Sequence, residues 1–485
     1  MQLANCCFLW YNQSTSFEGG ILMAKEVVHF RREVMTRLIR AFYSDDFPKG
    51  VGTIVFDMRP KGYSPPTRCC IYHDRAVIRS RVIAALGFGD ADDDERTSTA
   101  DYAKNALDRR AVSSGECLTL LGDACYGCEG NHVLVTELCH NCVAKACIDA
   151  CHFGAISPGH DRSIIDKDKC KRCGMCVKAC PYTAIRKEVV PCELSCPARA
   201  ISKKDDGHAS IDFTRCIFCG HCLSACPFGA INIRSHVVDV LSAIKGGRKV
   251  VAIAAPSFFS QFSAKPGQLA AALQKLGFSR VEEVARGADE TASHEASEWT
   301  KRMAANEPFM TTSCCAAYNE WRQKHATELA PFASKALTPM GYTAQSVRKT
   351  DPDAVIVFIG PCVAKYKEAF DSHDVDYLVT FEEIDCWLEA MGVDPAQLPD
   401  SAMPSDISEE ARGFGETRGV SKAVVSKGAA ATPVYIDGLD EDAMKSLKAM
   451  AKTRTCDGGN LVEVMSCKGG CVGGGCAIKA QKAHR

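Results

Sequence analysis

The chain has 485 residues, 46% of them hydrophobic and 24% charged, with a formal net charge of −1. This is a soluble, globular composition in a chain too long for one core, so we expect about three domains. The near-zero net charge gives no reason to expect nucleic acid or a membrane as a partner, and no apolar run is long enough to span a bilayer.

Cysteine is the most unusual component, with 29 copies. The amino terminus lacks the positive region and apolar core of a signal peptide, so we expect a cytoplasmic protein, a compartment in which disulfides are rare. Metal ligation is then the better use for the cysteines. Residues 1–23 are expected to form a disordered extension.

Residues 24–116 are predicted to form a helical accessory segment. Apolar residues recur at helix-like intervals in its first part, at Val27, Val34, Leu38 and Phe42, and a second helix is expected over residues 75–86. Cys69 and Cys70 leave two interpretations open. The segment either carries no chemistry or contributes Cys69 or Cys70 as a cluster ligand.

Two cysteine runs follow the pattern C-x2-C-x2-C-x3-C-P, and their members are Cys170, Cys173, Cys176, Cys180 and Cys216, Cys219, Cys222, Cys226. In bacterial ferredoxins three cysteines of such a run close one [4Fe–4S] cluster and the fourth reaches the partner cluster. Structural zinc sites usually pair two CxxC knuckles across a longer spacer. We therefore predict two α+β ferredoxin-like modules, over residues 117–190 and 191–236.

Each run needs a second half. For the first run it is an enlarged half-motif formed by Cys139, Cys142, Cys147 and Cys151. Exchange of the fourth cysteines gives two clusters, one held by Cys139, Cys142, Cys147 and Cys180, and the other by Cys170, Cys173, Cys176 and Cys151.

The half that accompanies the second run is shortened to Cys192 and Cys196. Cys196 can complete a cluster with Cys216, Cys219 and Cys222. A cluster held by Cys192 and Cys226 would then lack two ligands, and Cys125 and Cys128 would supply them. Both a three-cluster and a four-cluster arrangement stay open.

Residues 237–485 alternate strand-like and helix-like patterns, which is typical of an α/β domain with parallel sheets. Buried strands are predicted over residues 249–255 and 354–359, and a helix over residues 267–276. Residues 400–432 are rich in Ser, Gly, Ala and charged residues, and are expected to be a surface insertion or a flexible connection.

Three short cysteine segments lie in this domain, and they are Thr312–Cys315, Gly360–Lys365 and Glu463–Cys471. The last one runs into a series of glycines, which allow backbone to approach a bulky inorganic group. Thiolates of this kind hold iron. Together with the ferredoxin-type runs, the pattern indicates a redox enzyme.

These three segments resemble the signature segments of the [FeFe]-hydrogenases, and most closely those of the group B branch. The resemblance covers about residues 130–478. It implies a catalytic domain of two lobes, with small sheets flanked by helices and the H-cluster between the lobes. That cofactor is a [4Fe–4S] cubane joined to a two-iron unit with CO, CN⁻ and a dithiolate bridge. Its implied ligands are Cys315, Cys362, Cys467 and Cys471.

The resemblance also implies roles for the residues around the cofactor. Cys314 would pass protons, and the route to solvent would run through Glu295, Ser334, Glu298 and Arg302. Lys365, and Ser257 with the backbone after Pro256, would hold the two cyanides, while Met465 and Pro361 would contact the cofactor. From the residues alone, Cys314 could equally be an inert buried thiol, and Glu295 and Glu298 a solvated helix face.

The implied activity is the reversible reaction 2 H⁺ + 2 e⁻ ⇌ H₂. Electrons would be exchanged with a ferredoxin or a similar carrier through the accessory clusters, and maturation enzymes would install the two-iron unit. Two alternatives stay open. One is a non-catalytic iron–sulfur electron carrier or assembly protein without the two-iron unit, and the other is a hydrogen sensor.

Overall fold

The computed structural model describes residues 25–109, 115–130, 132–400 and 406–478. The extension predicted over residues 1–23 lies outside the described residues. Within the described ranges, no helix has the length and apolar character needed to cross a membrane.

The α-helices are, in chain order, α1 Lys25–Phe42, α2 Phe47–Met58, α3 Ile71–Ala85, α4 Thr99–Asp108, α5 Ala146–Asp149, α6 Met175–Ala179, α7 Pro191–Leu194, α8 His221–Ala225, α9 Val237–Lys245, α10 Pro266–Lys275, α11 Ala285–Ala304, α12 Ala316–His325, α13 Pro339–Thr350, α14 Ala364–Ser372, α15 Phe381–Ala390, α16 Glu409–Arg412, α17 Gly419–Ser426 and α18 Glu441–Thr453.

The strands are β1 Leu118–Leu120, β2 His132–Val135, β3 Ile156–Pro158, β4 Ser163–Ile165, β5 Ile185–Glu188, β6 Ile201–Lys203, β7 Ala209–Ile211, β8 Ile231–Ile233, β9 Val250–Ala254, β10 Arg280–Glu283, β11 Met310–Thr311, β12 Val355–Gly360, β13 Tyr377–Thr380, β14 Pro433–Asp437 and β15 Leu461–Met465.

Helices α1 to α4 form the amino-terminal segment, as the apolar periodicity predicts. Side-chain oxygens begin two of them, because Asp46 accepts the N–H of Lys49 at the start of α2 and Ser98 accepts the N–H of Asp101 at the start of α4. Helix α1 packs along α15, and there the Arg31 guanidinium pairs with Glu382. The segment is therefore built onto the carboxy-terminal domain.

The first ferredoxin-like module is a symmetrical unit between β2 and β5. These two strands pair antiparallel, with Val133 opposite Lys187, and β3 and β4 form a second antiparallel pair. Helices α5 and α6 lie against each other. Val133, Ile156 and Ile185 share a small buried core with cysteines of the module.

The second module differs from the expected boundaries. Its last strand, β8, pairs antiparallel with β1, so that Leu118 lies opposite Ile233. Residues 118–128 thus belong to this module, although the sequence assigned them to the first. The whole first module is inserted between β1 and α7. A three-residue strand has too little periodicity to reveal a partner more than 100 residues away.

A four-stranded parallel sheet forms one lobe of the carboxy-terminal domain. Its order is β10-β9-β12-β13, and Val357 of β12 lies opposite Ala252 of β9. All residues of β9 and β12 are buried, which explains their nearly continuous apolar sequences. The two strands and α10 match the predicted elements to within a residue or two.

A three-stranded parallel sheet of order β11-β15-β14 forms the other lobe. Helix α11 packs beside it, together with α16 and α17. These last two helices correct the expectation for residues 400–432, because Ala411, Val420 and Val424 are buried in the lobe's core. In the sequence alone, short helices of small residues resemble a flexible connection, because the residues that pack against them lie elsewhere in the chain.

Candidate active site

The four cysteines implied as cubane ligands come from the carboxyl ends of parallel strands in both lobes. Cys362 follows β12 in the first sheet. Cys315 follows β11 and Cys467 follows β15 in the second sheet, and Cys471 lies in the short turn after Cys467. Parallel strands direct their carboxyl ends to one edge, where α/β folds place ligands.

The four thiols stand close enough to act on one another electrostatically. Burial, and after it the neighbouring Cys362 and Cys315, raise the pKa of Cys471 to about 12. Burial likewise raises the pKa of Cys362 to about 11, with Cys315 adding to the effect. Cys467 is surrounded by the other three. A buried group of four mutually repelling thiolates needs a compensating cation.

The chemistry of this donor set fits an iron–sulfur cubane. Four soft thiolates suit such a cluster. The four ligands of a cubane bind four different irons, so they stand further apart than the ligands of one ion. In agreement with this, the described residues contain no group of three His, Cys, Asp or Glu side chains placed to hold a single metal ion.

Glycines allow three segments to meet around the thiols. A Cβ on Gly474 would stand 2.9 Å from the carbonyl oxygen of Pro361. Gly470 has φ of +86°, and a Cβ there would stand 2.6 Å from the carbonyl oxygen of Gly415. Any larger residue at these positions would push the segments apart.

Polar groups beside the thiols have unused hydrogen-bonding capacity. The Ser257 side chain is buried and its Oγ has no hydrogen-bond partner. Lys365 donates to Glu368 at 2.7 Å, which leaves two of its three ammonium hydrogens for other acceptors. Although burial works against its charge, Glu368 and Cys362 raise the pKa of Lys365. Met465 is buried at the end of β15. This chemistry fits a two-iron unit with anionic diatomic ligands.

Cys314 and Glu295 form the inner part of the expected proton route. Burial, and after it the nearby Glu295, raise the pKa of Cys314 well above its usual range, so the thiol keeps its proton. Glu295 is fully buried on α11, and burial raises its pKa to about 7. One of its oxygens accepts the N–H and the Oγ–H of Ser313, and the other has no partner.

The outer part of the route is a continuous set of hydrogen bonds. The Ser334 hydroxyl also lies beside Glu295, and it donates to Glu298 at 3.0 Å. Arg302 donates to Glu298 at 2.7 Å and to the half-exposed Glu307 at 3.0 Å. Although burial opposes it, the Lys335 N–H and Arg302 hold the pKa of Glu298 below its usual range.

Two residues of this region were not found from the sequence. Ser313 anchors Glu295, and its only sequence signal is its position directly before Cys314. Glu463 is buried in β15 and accepts the N–H groups of Arg418 and Ser421 at 2.6 and 2.8 Å. It ties the strand that leads to Cys467 to α17. A buried carboxylate held by backbone N–H groups at a distant turn has no local sequence signature.

The structure also brings together all cysteines of two expected accessory sets and three of the four cysteines of another. Two small cavities are each lined by one complete set, the first by Cys139, Cys142, Cys147 and Cys180, and the second by Cys196, Cys216, Cys219 and Cys222. In the remaining set of the first module, Cys176 lies near Cys170 and Cys151.

The uncertain fourth set is also assembled. Cys192 lies near Cys226 and Cys128, and Cys128 lies near Cys125. The insertion of the first module explains this set, because Cys125 and Cys128 follow the first strand of the second module. They are separated from Cys192 only by the inserted module. The structure therefore gathers four thiols in this set, where the shortened half-motif alone left only Cys192 and Cys226.

The accessory sets lead toward the active site. Cys222 of the second cavity lies near Cys192 of the fourth set. On its other side, Cys219 lies near Cys467. The backbone is equally close there, because a Cβ on Gly475 would stand 3.4 Å from the carbonyl oxygen of Gly220. The second module therefore lies directly beside the active site.

Three family models match the chain. Residues 248–475 match the iron-only hydrogenase large subunit, C-terminal domain. Residues 189–237 match the LdpA Fe-S cluster-binding domain, and residues 163–186 match a 4Fe-4S binding domain.

Three curated relatives are hydrogenases as well. The chain is 28% identical to the periplasmic [Fe] hydrogenase large subunit of Nitratidesulfovibrio vulgaris, over 50% of this chain and 72% of the relative. It is 29% identical to iron hydrogenase 1 of Clostridium pasteurianum, over 64% of each chain. A third relative, an NADP-reducing hydrogenase subunit of Solidesulfovibrio fructosivorans, is 25% identical, and the chain spans 45% of its length.

A solved structure of the [FeFe]-hydrogenase HydA1 from Chlamydomonas reinhardtii, variant E144A, superposes with a TM-score of 0.44 and 21% identity, over 51% of this chain and 88% of that chain. A superposition this loose transfers no residue roles. The domain match and the hydrogenase relatives agree with the residues gathered at the strand ends, and residues 248–475 form a domain of the iron-only hydrogenase large-subunit family.

Proposed function

We propose that this protein catalyses the reversible reaction 2 H⁺ + 2 e⁻ ⇌ H₂ at an H-cluster held by Cys315, Cys362, Cys467 and Cys471. The observation that carries the proposal is the proton route from Cys314 to Arg302, which begins directly beside the four thiols. When bound, the H-cluster would supply the redox chemistry of this reaction. The chain's own residues deliver protons and hold the cofactor.

Proton delivery would use groups whose pKa values differ from one another. Glu295, with a pKa of about 7, can take up and release a proton near neutral pH. Its unpartnered oxygen is free to receive a proton from Cys314 through one water, and its other neighbours lead outward through Ser334 and Glu298. Arg302 and Glu307 hold the outer end of the route near solvent.

The two-iron unit would be held in its pocket by both polar and apolar side chains. Lys365 would donate to one cyanide, and Ser257 with the backbone after Pro256 to the other. Met465 and Pro361 would contact the two-iron unit. The buried, unpartnered Ser257 hydroxyl supports this assignment, because a buried donor without an acceptor is costly unless a ligand completes it.

Electrons would enter through the first module and pass along the cysteine sets to Cys219 and Cys467. The surface of this module supports a carrier such as an acidic ferredoxin. Val143 and Leu138 are exposed there, and so are Lys167 and Lys169. Exposed apolar residues and lysines on one module suit an acidic partner that docks transiently, and in the free protein Lys167 and Lys169 pair with Glu129 and Asp166. We further propose a cytoplasmic location and maturation enzymes that install the two-iron unit.

The experiment is a comparison of Cys314→Ala with Cys456→Ala in protein matured with its two-iron unit. Cys456 is a half-buried cysteine outside the cluster sets. We expect the iron content of both variants to be unchanged. Hydrogen production with a reduced dye should fall by about 100-fold or more in Cys314→Ala, because the last proton donor to the cofactor is lost, and stay near the native rate in Cys456→Ala.

The two alternatives give different outcomes. An electron carrier or assembly protein would reduce a carrier but produce no hydrogen in the native chain. A hydrogen sensor would turn over slowly, and loss of Cys314 would leave that slow rate unchanged. Native turnover that survives Cys314→Ala would remove the proposed proton role.

A further inference from the structure

Cys69 and Cys70 lie outside every cysteine set described above. They precede α3, and Cys69 is exposed while Cys70 is half-buried. Their Sγ atoms are 3.9 Å apart. The two thiols therefore form an adjacent pair at the surface.

A histidine is held against this pair. His73 Nδ1 lies 3.2 Å from the Cys69 Sγ, and His73 Nε2 lies 2.8 Å from the carbonyl oxygen of Asp123. A carbonyl only accepts hydrogen bonds, so Nε2 carries a hydrogen. In the neutral ring Nδ1 is then unprotonated and faces the Cys69 thiol. This is the geometry of a nucleophile, its base and a group that orients the base.

Cys70 has a different neighbour, the amino-terminal end of α3. The N–H groups of His73 and Tyr72 hold the pKa of Cys70 below its ordinary value. Cys69, which donates to Cys70, has a raised pKa for that reason. Cys70 is thus the first thiolate of the pair.

The surrounding structure holds the pair in position. The buried Asp74 carboxylate accepts the N–H of Thr67 at 2.8 Å and the guanidinium of Arg59 at 3.2 Å, which ties the preceding loop to α3. Arg68 donates to the carbonyl of Phe228 at 3.1 Å. Tyr72, the next residue but one after Cys70, has a side chain that is 74% exposed.

We propose that Cys69, Cys70 and His73 form a thiol–disulfide exchange site whose substrate is an exposed disulfide of a small thiol or of a protein. Cys70 attacks one sulfur of the substrate, forming a mixed disulfide and releasing one thiolate. Cys69 then gives its proton to His73 Nδ1 and attacks the Cys70 sulfur. The second substrate thiol leaves, the Cys69–Cys70 disulfide forms, and the substrate has gained two electrons and two protons.

The test treats the anaerobically purified holoprotein with oxidised glutathione and, separately, with oxidised thioredoxin. Trypsin cleavage after Arg68 and Arg75 releases residues 69–75, which contain no other cysteine. We expect this peptide to lose two hydrogens in the native protein, at least about tenfold faster than Cys456 is modified. The faster probe tells whether a small or a protein disulfide is the substrate. No reaction with either would overturn the proposal.

Three variants separate the roles. Cys69→Ser should stop at one glutathione adduct on Cys70, and Cys70→Ser should react at least about tenfold more slowly than the native protein. His73→Gln should accumulate the mixed disulfide on Cys70, because the second step has lost its base. Closure of the Cys69–Cys70 disulfide at the native rate in His73→Gln, or a first adduct on Cys69, would contradict the mechanism. Iron content unchanged from the native protein serves as the folding control.

Discussion

At the scale of single residues, Glu295 is the most informative side chain of the proposed proton route. It is fully buried, yet only one of its oxygens has hydrogen-bond partners. A buried carboxyl in such a place costs stability when it is charged. The buried face of α11 that carries Glu295 also carries Ala288, Ala292 and Trp299. A carboxyl in the apolar row of a helix points to function rather than to solvation.

Glu295→Gln tests the role of this carboxyl in turnover. Glutamine keeps the size and an acceptor oxygen but cannot exchange a proton. We expect hydrogen production to fall by about 100-fold or more, with iron content unchanged. Glu290→Gln, an exposed change on the same helix, is the matched control and should stay near the native rate. Equal rates in the two variants would show that protons reach the site by another route.

The same variant tests the raised pKa through stability. Because the folded-state pKa is raised from 4.5 to about 7, the contribution of Glu295 is fully present below about pH 4.5 and is lost as the pH rises through about 7. Between about pH 5 and pH 8, native stability should fall relative to Glu295→Gln by roughly 3 kcal/mol. Anaerobic thermal unfolding of both holoproteins measures this. A pH-independent difference would mean that Glu295 has an ordinary pKa.

At the scale of elements, the inserted ferredoxin-like module explains how a fourth cysteine set arises from a shortened motif. Strand β1 carries the chain to Cys125 and Cys128, and the chain returns at α7 with Cys192. Cys226, after α8, completes the set. The second module therefore has both halves, with one of them interrupted by the other module.

Cys128→Ser tests this set. We expect the matured protein to lose about four irons, because a [4Fe–4S] cluster that loses one of four thiolates is no longer held in place. Cys456→Ser, at a half-buried position outside the sets, should keep the native iron count. Iron analysis and the cluster spectrum of the reduced protein provide the measurement. An unchanged count in Cys128→Ser would remove Cys128 from the ligands.

Many of the elements and modules can be predicted from the sequence. The cysteine spacing predicted the ferredoxin-like modules, since ligand spacing is a local property, and the ligand sets that it implies stay predictions. Continuous apolar runs predicted β9 and β12. The pairing of β1 with β8 and the burial of α17 could not be predicted, because both depend on contacts between distant segments. The same holds for Ser313 and Glu463, whose partners are backbone N–H groups or side chains far along the chain.

At the scale of the whole molecule, the amino-terminal helices join the second module to the carboxy-terminal domain. Arg31 pairs with Glu382 on α15, and Arg81 donates to the Phe228 carbonyl of the second module. After α4, Arg109 makes two hydrogen bonds with Asp239 of α9, at 3.0 and 2.6 Å. These contacts fix the second module beside the carboxy-terminal domain.

Arg109→Met tests this joining role. Burial raises the pKa of Asp239, and Arg109 offsets the effect, so removal of the guanidinium leaves an uncompensated buried carboxyl. We expect a loss of about 3 kcal/mol in unfolding free energy. Arg37→Met breaks an exposed pair with Glu33 and should cost less than about 1 kcal/mol. Equal unfolding midpoints for the two variants, measured anaerobically, would deny that the buried pair holds the parts together.

The central claim is that the four thiols and the pocket beside them hold an H-cluster. The most direct measurement is an anaerobic infrared spectrum of the protein produced together with maturation enzymes for the two-iron unit. The account predicts absorption bands of iron-bound CO and CN⁻, and a change of the CN⁻ bands in Lys365→Met. Absence of these bands in protein whose [4Fe–4S] clusters are intact would contradict the account and leave an electron-carrying or assembly role.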